Sequence, residues 1–416
     1  MLTLTKNRSW SGRARDRFAA AIGITLFALA AFTGQSSGQI YTLPRVDARN
    51  GDFFGESVSI SGDRVLVGST GADTCGENSG AAYLYERDPD SGHWRLDATL
   101  TPSDCDAGRF FGRSLSLDAS TAVVGAFNNA VAATGSNAAY VFERDSTNGS
   151  WTQVARLTGN PQDEEGPFAA HVAIDDKRIL VTTAGDLAEG RFGGAAYVFE
   201  RDGGRWQQTA RLRASANTRL GVLGGPADLD GDRIAVSASR YFQGGSGSVY
   251  IFDYDDTRHR WTESARLDGF EDFFISTDVD DDRIIVGEGK AGRESDGRAT
   301  IFSLSESGGW TREAVLRPTH PFALGAFGSK VVIGGDRAIV VGYDEQLQQD
   351  FNIDRVAYVF EAERQGMTLL PVWRQKHVID IGSVYFGSSL DLDGNVAAIG
   401  QSSENTAGAV MIVILH

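Results

Sequence analysis

The stretch Phe53-Phe54-Gly55-Glu56-Ser57-Val58-Ser59-Ile60-Ser61-Gly62-Asp63-Arg64-Val65-Leu66-Val67-Gly68 decides the fold. From Phe54 to Ile60 polar and apolar residues alternate, Gly62-Asp63 supply a tight turn, and Arg64 opens a second apolar run. Two period-two segments joined by a Gly-bearing turn read as a β-hairpin with one face buried. The same text returns along the chain, with Gly55, Gly112, Ala169, Gly224, Phe274, Gly328 and Gly387 in equivalent positions. A near-constant period of this size marks a repeat architecture, so seven units are expected.

Working outward from the hairpin, the apolar positions of its first strand recur as Val58/Ile60, Leu115/Leu117, Val172/Ile174, Ala227/Leu229, Thr277/Val279, Val331/Ile333 and Leu390/Leu392. A third strand follows in each unit, as in Ala82-Tyr83-Leu84-Tyr85, Ala139-Tyr140-Val141-Phe142 and Ala357-Tyr358-Val359-Phe360. A fourth carries a Trp: Trp94, Trp151, Trp206, Trp261, Trp310 and Trp373. Only six such strands exist, whereas Ile40-Tyr41-Thr42-Leu43 stands directly before the first unit. Pairing of this segment with the last unit closes a ring and removes the sheet edges that invite aggregation. The expected fold is all-β: a seven-bladed propeller of four-stranded blades over residues 39–416, closed by an N-terminal strand.

Composition agrees with short strands and many turns. There are 50 Gly against 9 Pro and 3 Met, and 41% of residues are hydrophobic. Residues 1–38 read as a secretory signal with an uncertain cut site: Lys6, Arg8, Arg13, Arg15 and Arg17 precede an apolar run from Phe18 to Phe32. An uncleaved anchor is the alternative, because the basic region is long. Residues 1–30 hold five basic residues and Asp16, so without them the net charge falls from −16 to −20. An acidic chain repels phosphate backbones, which excludes nucleic acid as the natural partner.

These residues resemble the FG-GAP repeat family, whose members include the seven-bladed headpiece propeller of integrin α subunits. The matching text is Phe54-Gly55-x-Ser57, Phe111-Gly112-x-Ser114, Phe327-Gly328 and Phe386-Gly387-x-Ser389, followed by Val67-Gly68-Ser69, Val124-Gly125-Ala126 or Ile399-Gly400. The likeness is greatest to exported bacterial repeat proteins of that family, given Gly194-Ala195-Ala196-Tyr197-Val198-Phe199-Glu200-Arg201. Departures are the missing Pro of the Gly-Ala-Pro step and the degenerate steps Phe168-Ala169, Leu223-Gly224 and Phe273-Phe274. The resemblance implies a secreted, periplasmic or cell-surface interaction module.

Metal-binding members of the family carry an Asp-rich loop between the first two strands of a blade. The nearest counterparts here are Asp228, Asp230 and Asp232, and Asp278, Asp280 and Asp282, with Asp391 and Asp393 in the last unit. Calcium takes six to eight oxygen ligands on a flexible loop. These segments instead align without gaps to simple hairpin turns, so turns are favoured over calcium sites and no cofactor is expected. Asp88-Pro89-Asp90-Ser91-Gly92-His93-Trp94 and Asp145-Ser146-Thr147-Asn148-Gly149-Ser150-Trp151 resemble the Asp-box of sialidase-type propellers without meeting its spacing, and read as hairpin turns.

Cys75 lies in the loop between second and third strands of the first unit, and Cys105 in the connection to the next unit. Those loop types share a face of a propeller, so a disulfide is expected in an oxidising compartment, two free thiols being the alternative. The same face carries the long loops and the acidic clusters Asp104/Asp106, Asp163/Glu164/Glu165 and Glu271/Asp272. The six histidines are scattered with no metal-ligand spacing, and no Ser-His-Asp set stands out. The favoured reading is a monomeric, non-catalytic module that binds an unidentified protein or glycan through the long-loop face, with no membrane span once the signal is removed. The alternative is a hydrolase or lyase with its site in the central channel, where His171, Asp228 and Lys330 break the repeat.

Overall fold

The computed structural model describes residues 39–44, 49–128, 137–159, 168–183, 194–215, 222–239, 247–271, 275–289, 297–320, 326–343, 355–364, 370–381, 386–402 and 406–416. The expected leader, the cluster Asp163/Glu164/Glu165, Asp272 and the step Phe273-Phe274 lie outside them. Among the described residues twenty-eight strands form seven four-stranded antiparallel sheets. Blade 1 shows the scheme: Val58–Ser61, Arg64–Ser69, Ala81–Arg87 and Trp94–Leu100 pair in chain order. Blades 2 to 6 repeat it over residues 111–157, 168–212, 222–270, 275–316 and 330–380. Blade 7 has three strands from residues 386–414, and its fourth is Gln39–Thr42. Gln39 stands opposite Ile414 and Thr42 opposite Met411, and Leu43 N–H donates to Val410 O at 3.0 Å. The first strands of adjacent blades lie against one another all the way round, blade 7 against blade 1 included, and surround a central channel.

The core is distributed between the blades. Leu66, Leu84 and Leu100 of blade 1 pack on Phe111, Leu115 and Leu117 of blade 2, and comparable clusters fill the other junctions. Phe111 is fully buried and meets Tyr140 and Phe142 edge-on, with ring centroids 5.6 and 6.0 Å apart. Phe54, Phe168 and Phe327 repeat the arrangement on the third-strand aromatics of their own blades. Edge-to-face contact is the favoured geometry for such rings, which accounts for Phe at this step and aromatics in the third strand.

The glycine after each Phe has a geometric cause. Gly112 sits at φ 94°, and a Cβ there would lie 2.6 Å from Ala81 O. Its own carbonyl packs against Gly68 of the preceding blade, where a Cβ would come within 2.0 Å of Gly112 O. The two glycines of the repeat therefore interlock across a blade junction. Blade 3 keeps the backbone without the residue: Ala169 holds φ 66°. A left-handed conformation strains alanine by about 1 kcal/mol or more. Ala169→Gly is expected to raise stability by up to about 1 kcal/mol, less the added entropy of the unfolded chain. A denaturant titration with unchanged slope would check it.

The Asp-box-like segments are turns. Asp145 Oδ1 accepts from the N–H groups of Thr147 and Asn148 at 2.7 and 3.1 Å, and Asp88 Oδ1 accepts from Ser91 N–H at 2.8 Å. Cys75 and Cys105 form a disulfide with Cα atoms 5.8 Å apart, tying a loop of blade 1 to its connection into blade 2.

Candidate functional site: the lining of the central channel

The inner edge of each blade presents unpaired backbone N–H groups, and such groups are costly if left without partners. At most junctions side chains from the preceding blade cover them. On each first strand three alternate positions face the next blade: Ser57, Ser59 and Ser61 in blade 1, Ser114, Ser116 and Asp118 in blade 2. Leu117 N–H donates to Ser59 Oγ at 3.1 Å and Ala119 N–H to Ser61 Oγ at 3.0 Å. Val172, Ile174 and Asp176 of blade 3 donate to Ser114, Ser116 and Asp118 in the same way. Ile60 and Gly62 of blade 1 donate to Asp391 and Asp393 of blade 7, so the fasteners cross the closing junction too. The Ser of the Phe-Gly-x-Ser motif works at the top of this ladder: Ser57 Oγ donates to Gly112 O at 2.6 Å and Ser389 Oγ to Gly55 O at 2.9 Å.

The six aspartates singled out as weak metal candidates take three separate jobs. Asp228 and Asp278 line the channel and accept from Val279 N–H (3.1 Å) and Ile333 N–H (2.7 Å). Asp230 and Asp280 accept from the turn N–H groups of Asp281 and Gly335. Asp232 and Asp282 pair with Arg178 and Arg233 of the preceding blade. Among the described residues no group of three or more His, Cys, Asp or Glu is placed to hold a metal ion. Of the rim clusters, Asp104 pairs with Arg156 at 3.1 Å and Glu271 with Arg298 at 3.7 Å.

Three blades depart from Ser at the top of the ladder: blade 3 with His171, blade 4 with Pro226 and blade 6 with Lys330. His171 and Lys330 occupy the position that holds Ser57, Ser114, Ser276 and Ser389 elsewhere. They lie on blades 3 and 6, toward the long-loop end of the channel. Each keeps part of its surface open to the channel, yet burial dominates its titration. Burial, with Lys330 and Arg113 nearby, lowers the His171 imidazole to about 4, so it is neutral at pH 7. Burial and then Arg355 lower the Lys330 ammonium. Deeper in the channel the sign reverses. Burial pushes Asp228 up to about 6, and burial together with the Asp228 charge and hydrogen bond pushes Asp278 well above the usual carboxylate range. Burial also raises Asp391, and the field of Asp391 reaches both of the others. The channel thus holds a neutral imidazole and a lysine at one level and proton-retaining carboxyls at the next.

A carboxyl whose folded pKa lies above its unfolded value binds more protons in the native state. Its contribution to stability is full below pH 4 and is lost as pH rises through the folded value. The Asp228/Asp278 pair therefore lowers stability progressively from pH 4 to beyond pH 6. His171 works on the other side, because its depressed value costs stability as pH falls from 6.5 toward 4. Asp278→Asn is expected to flatten the alkaline decline while leaving the acid limb in place. Unfolding midpoints measured from pH 4 to 8 check this, and a decline as steep as that of the unmodified chain would contradict it.

Comparison with known proteins bears on fold and repeat. The family model for the FG-GAP repeat matches residues 34–85 and 94–142. No curated protein matches the chain. Among solved structures it is similar to a hypothetical selenium-binding protein from Sulfolobus tokodaii, at 10% identity and TM-score 0.47, covering 83% of this chain and 79% of that one. It is also similar to the β-propeller domain of the Trilobed protease from Pyrococcus furiosus, at 10% identity and TM-score 0.44, covering 87% of this chain and 95% of that one. The second matched unit begins on the outer strand of blade 1 and ends on the third strand of blade 2. The sequence repeat is thus staggered by one strand against the blade, which is why the strand at the start of the first unit completes blade 7. Two units of the chain match the FG-GAP repeat, within a seven-bladed β-propeller closed by its N-terminal strand.

Proposed function

We propose that this chain is an exported, non-catalytic binding module, a rigid ring that recognises protein or glycan through the loops on one face. The observation that carries the reading is the use of the repeated polar side chains. Ser57, Ser59, Ser114, Ser116, Asp391 and Asp393 all join one blade to the next, so none stands free as a nucleophile or base. Loops on a rigid scaffold are the usual seat of recognition. The Cys75–Cys105 disulfide in those loops supports an oxidising compartment, secreted, periplasmic or at the cell surface. The test is binding of residues 39–416 to panels of extracellular proteins and glycans. Replacing the segment between Tyr343 and Arg355 by a Gly-Ser linker, and doing the same for other loops of that face, is expected to abolish capture. Capture that survives every loop replacement would sink the reading.

One observation favours a second reading, a hydrolase or lyase with its site in the channel. Asp228 and Asp278 are hydrogen-bonded to each other, and a carboxyl pair that shares a proton is a known acid–base arrangement. Glycan cleavage lost in Asp228→Asn, with a rate limb near pH 6, would support it. Equal turnover in that variant would eliminate it.

A further inference from the structure

On the opposite face, where the hairpin turns lie, three blade junctions share one latch. The arginine that opens the second strand reaches an acid in its own blade and an aspartate in the next blade's turn. Arg178 pairs with Glu200 and Asp232, Arg233 with Asp253 and Asp282, and Arg283 with Glu313 and Asp336. Each guanidinium also donates to the turn carbonyl beside that aspartate, at Gly231, Asp281 or Gly335. Each stacks over an aromatic ring of the next blade: Trp261, Trp310 or Trp373.

The junction between blades 1 and 2 has the arginine without the aspartate. Arg64 pairs with Glu86 at 2.9 Å in its own blade and donates to the turn carbonyl of Ala119 at 3.3 Å, as the template requires. The turn position that holds Asp232, Asp282 and Asp336 elsewhere is Ser120. Two features accompany this vacancy. Arg64 Nε, the atom that meets the acid of the same blade in Arg178, Arg233 and Arg283, is buried without a hydrogen-bond partner, a costly condition for a charged donor. A cleft of about 550 Å³ opens at this junction, lined by Arg64, Arg87, Arg95, Asp63 and Glu86 among others. Glu86 is shared by Arg64, Arg95 and Arg144, so the guanidinium groups outnumber the acids that serve them. The junction between blades 6 and 7 repeats the pattern more weakly. There Asn395 replaces the aspartate, and Arg337 lines a smaller cleft of about 350 Å³.

We infer that the cleft between blades 1 and 2 is a carboxylate-binding site, in which a ligand's carboxylate takes on Arg64 the place that Asp232, Asp282 and Asp336 take at the latched junctions. The chain itself supplies the template for the ligand's chemistry: a planar carboxylate, met by a guanidinium and bordered by further arginines. The site lies on the face opposite the recognition loops, so it stands or falls separately from the function proposed above. Its natural ligand carries either an acidic peptide side chain or a uronic acid.

The test is calorimetric titration of residues 39–416 with N-acetyl-aspartate amide and, separately, with galacturonate. The unmodified protein is expected to bind at least one of them with millimolar affinity, and which one binds tells peptide from glycan. Arg64→Gln is expected to weaken binding by roughly tenfold or more. Ser120→Asp rebuilds the latch from within. It is expected to raise the unfolding midpoint and to weaken binding to the same degree, a result that loss of folding cannot imitate. The inference is overturned if neither probe binds the unmodified protein, or if Ser120→Asp binds as tightly as the unmodified chain.

Discussion

Deleting residues 39–43 is expected to lower the stability of the ring by about 3 kcal/mol and to make the protein self-associate. The loss comprises a four-residue ladder from Gln39–Ile414 to Thr42–Met411, burial of Leu43 and the packing of Tyr41 on the same core cluster. A buried leucine contributes about 2 kcal/mol and each backbone bond about 1 kcal/mol, partly offset by the entropy of an unfastened end. Exposure matters more than energy here. The strand uncovered, Ala409–Ile414, reads AVMIVI, a flat apolar edge with no charge and no proline. Such an edge pairs with any other copy. Light scattering with time after refolding reads the effect, and a peptide of residues 39–44 added in trans is expected to suppress it by restoring the missing strand. A deletion variant that stays monomeric and unfolds at the original midpoint would show the strand to be dispensable.

Gly68→Ala is expected to destabilise the fold by about 3 kcal/mol, an unusual cost for one added methyl. The methyl would fall 2.0 Å from Gly112 O and 2.2 Å from Ser57 Oγ, and the first of these is backbone held by the Phe-Gly turn. Blade 2 must move away from blade 1, which also breaks the bond from Ser57 to Gly112 O. Ser57→Ala alone is expected to cost about 1 kcal/mol, one buried hydrogen bond. The double variant should cost less than the sum, because both changes act on one contact. Phe111→Ala, which empties the ring's place between Tyr140 and Phe142, sets the scale at about 4 kcal/mol. Chemical unfolding of the four variants reads these values. A Gly68→Ala chain within 0.5 kcal/mol of the original would mean that the junction is loose.

The blades were legible in the text because everything that makes one is local. Alternation, a Gly-Asp turn and a Trp at the start of the outer strand lie within one unit, and the strands fall where those signals put them. Closure was legible from a count, six Trp-bearing strands for seven units, and the structure supplies Gln39–Thr42 as the missing one. The tasks of the aspartates were not legible. Asp228, Asp230 and Asp232 are adjacent alternate residues in the sequence, yet their partners are Val279, Asp281 and Arg178, about one unit away in either direction. No short-range pattern encodes which blade a side chain leans toward. One signal was present: an aspartate in a turn is matched by an arginine one unit earlier for Asp232, Asp282 and Asp336, and Ser120 breaks that match behind Arg64. His171 and Lys330 were visible as breaks at one position of the repeat, but their burial and the charges around them were not.

Residue-resolved hydrogen exchange in the last strand tests ring closure most directly. Val410 O accepts from Leu43 N–H, so the alternation of an antiparallel ladder aims the amides of Ile412 and Ile414 at the N-terminal strand and those of Met411 and Val413 at the strand within blade 7. A closed ring predicts that Ile412 and Ile414 exchange as slowly as Met411 and Val413, at the rate set by global unfolding. Fast exchange at Ile412 and Ile414 beside slow exchange at Met411 and Val413 would reveal an open edge and contradict the closure.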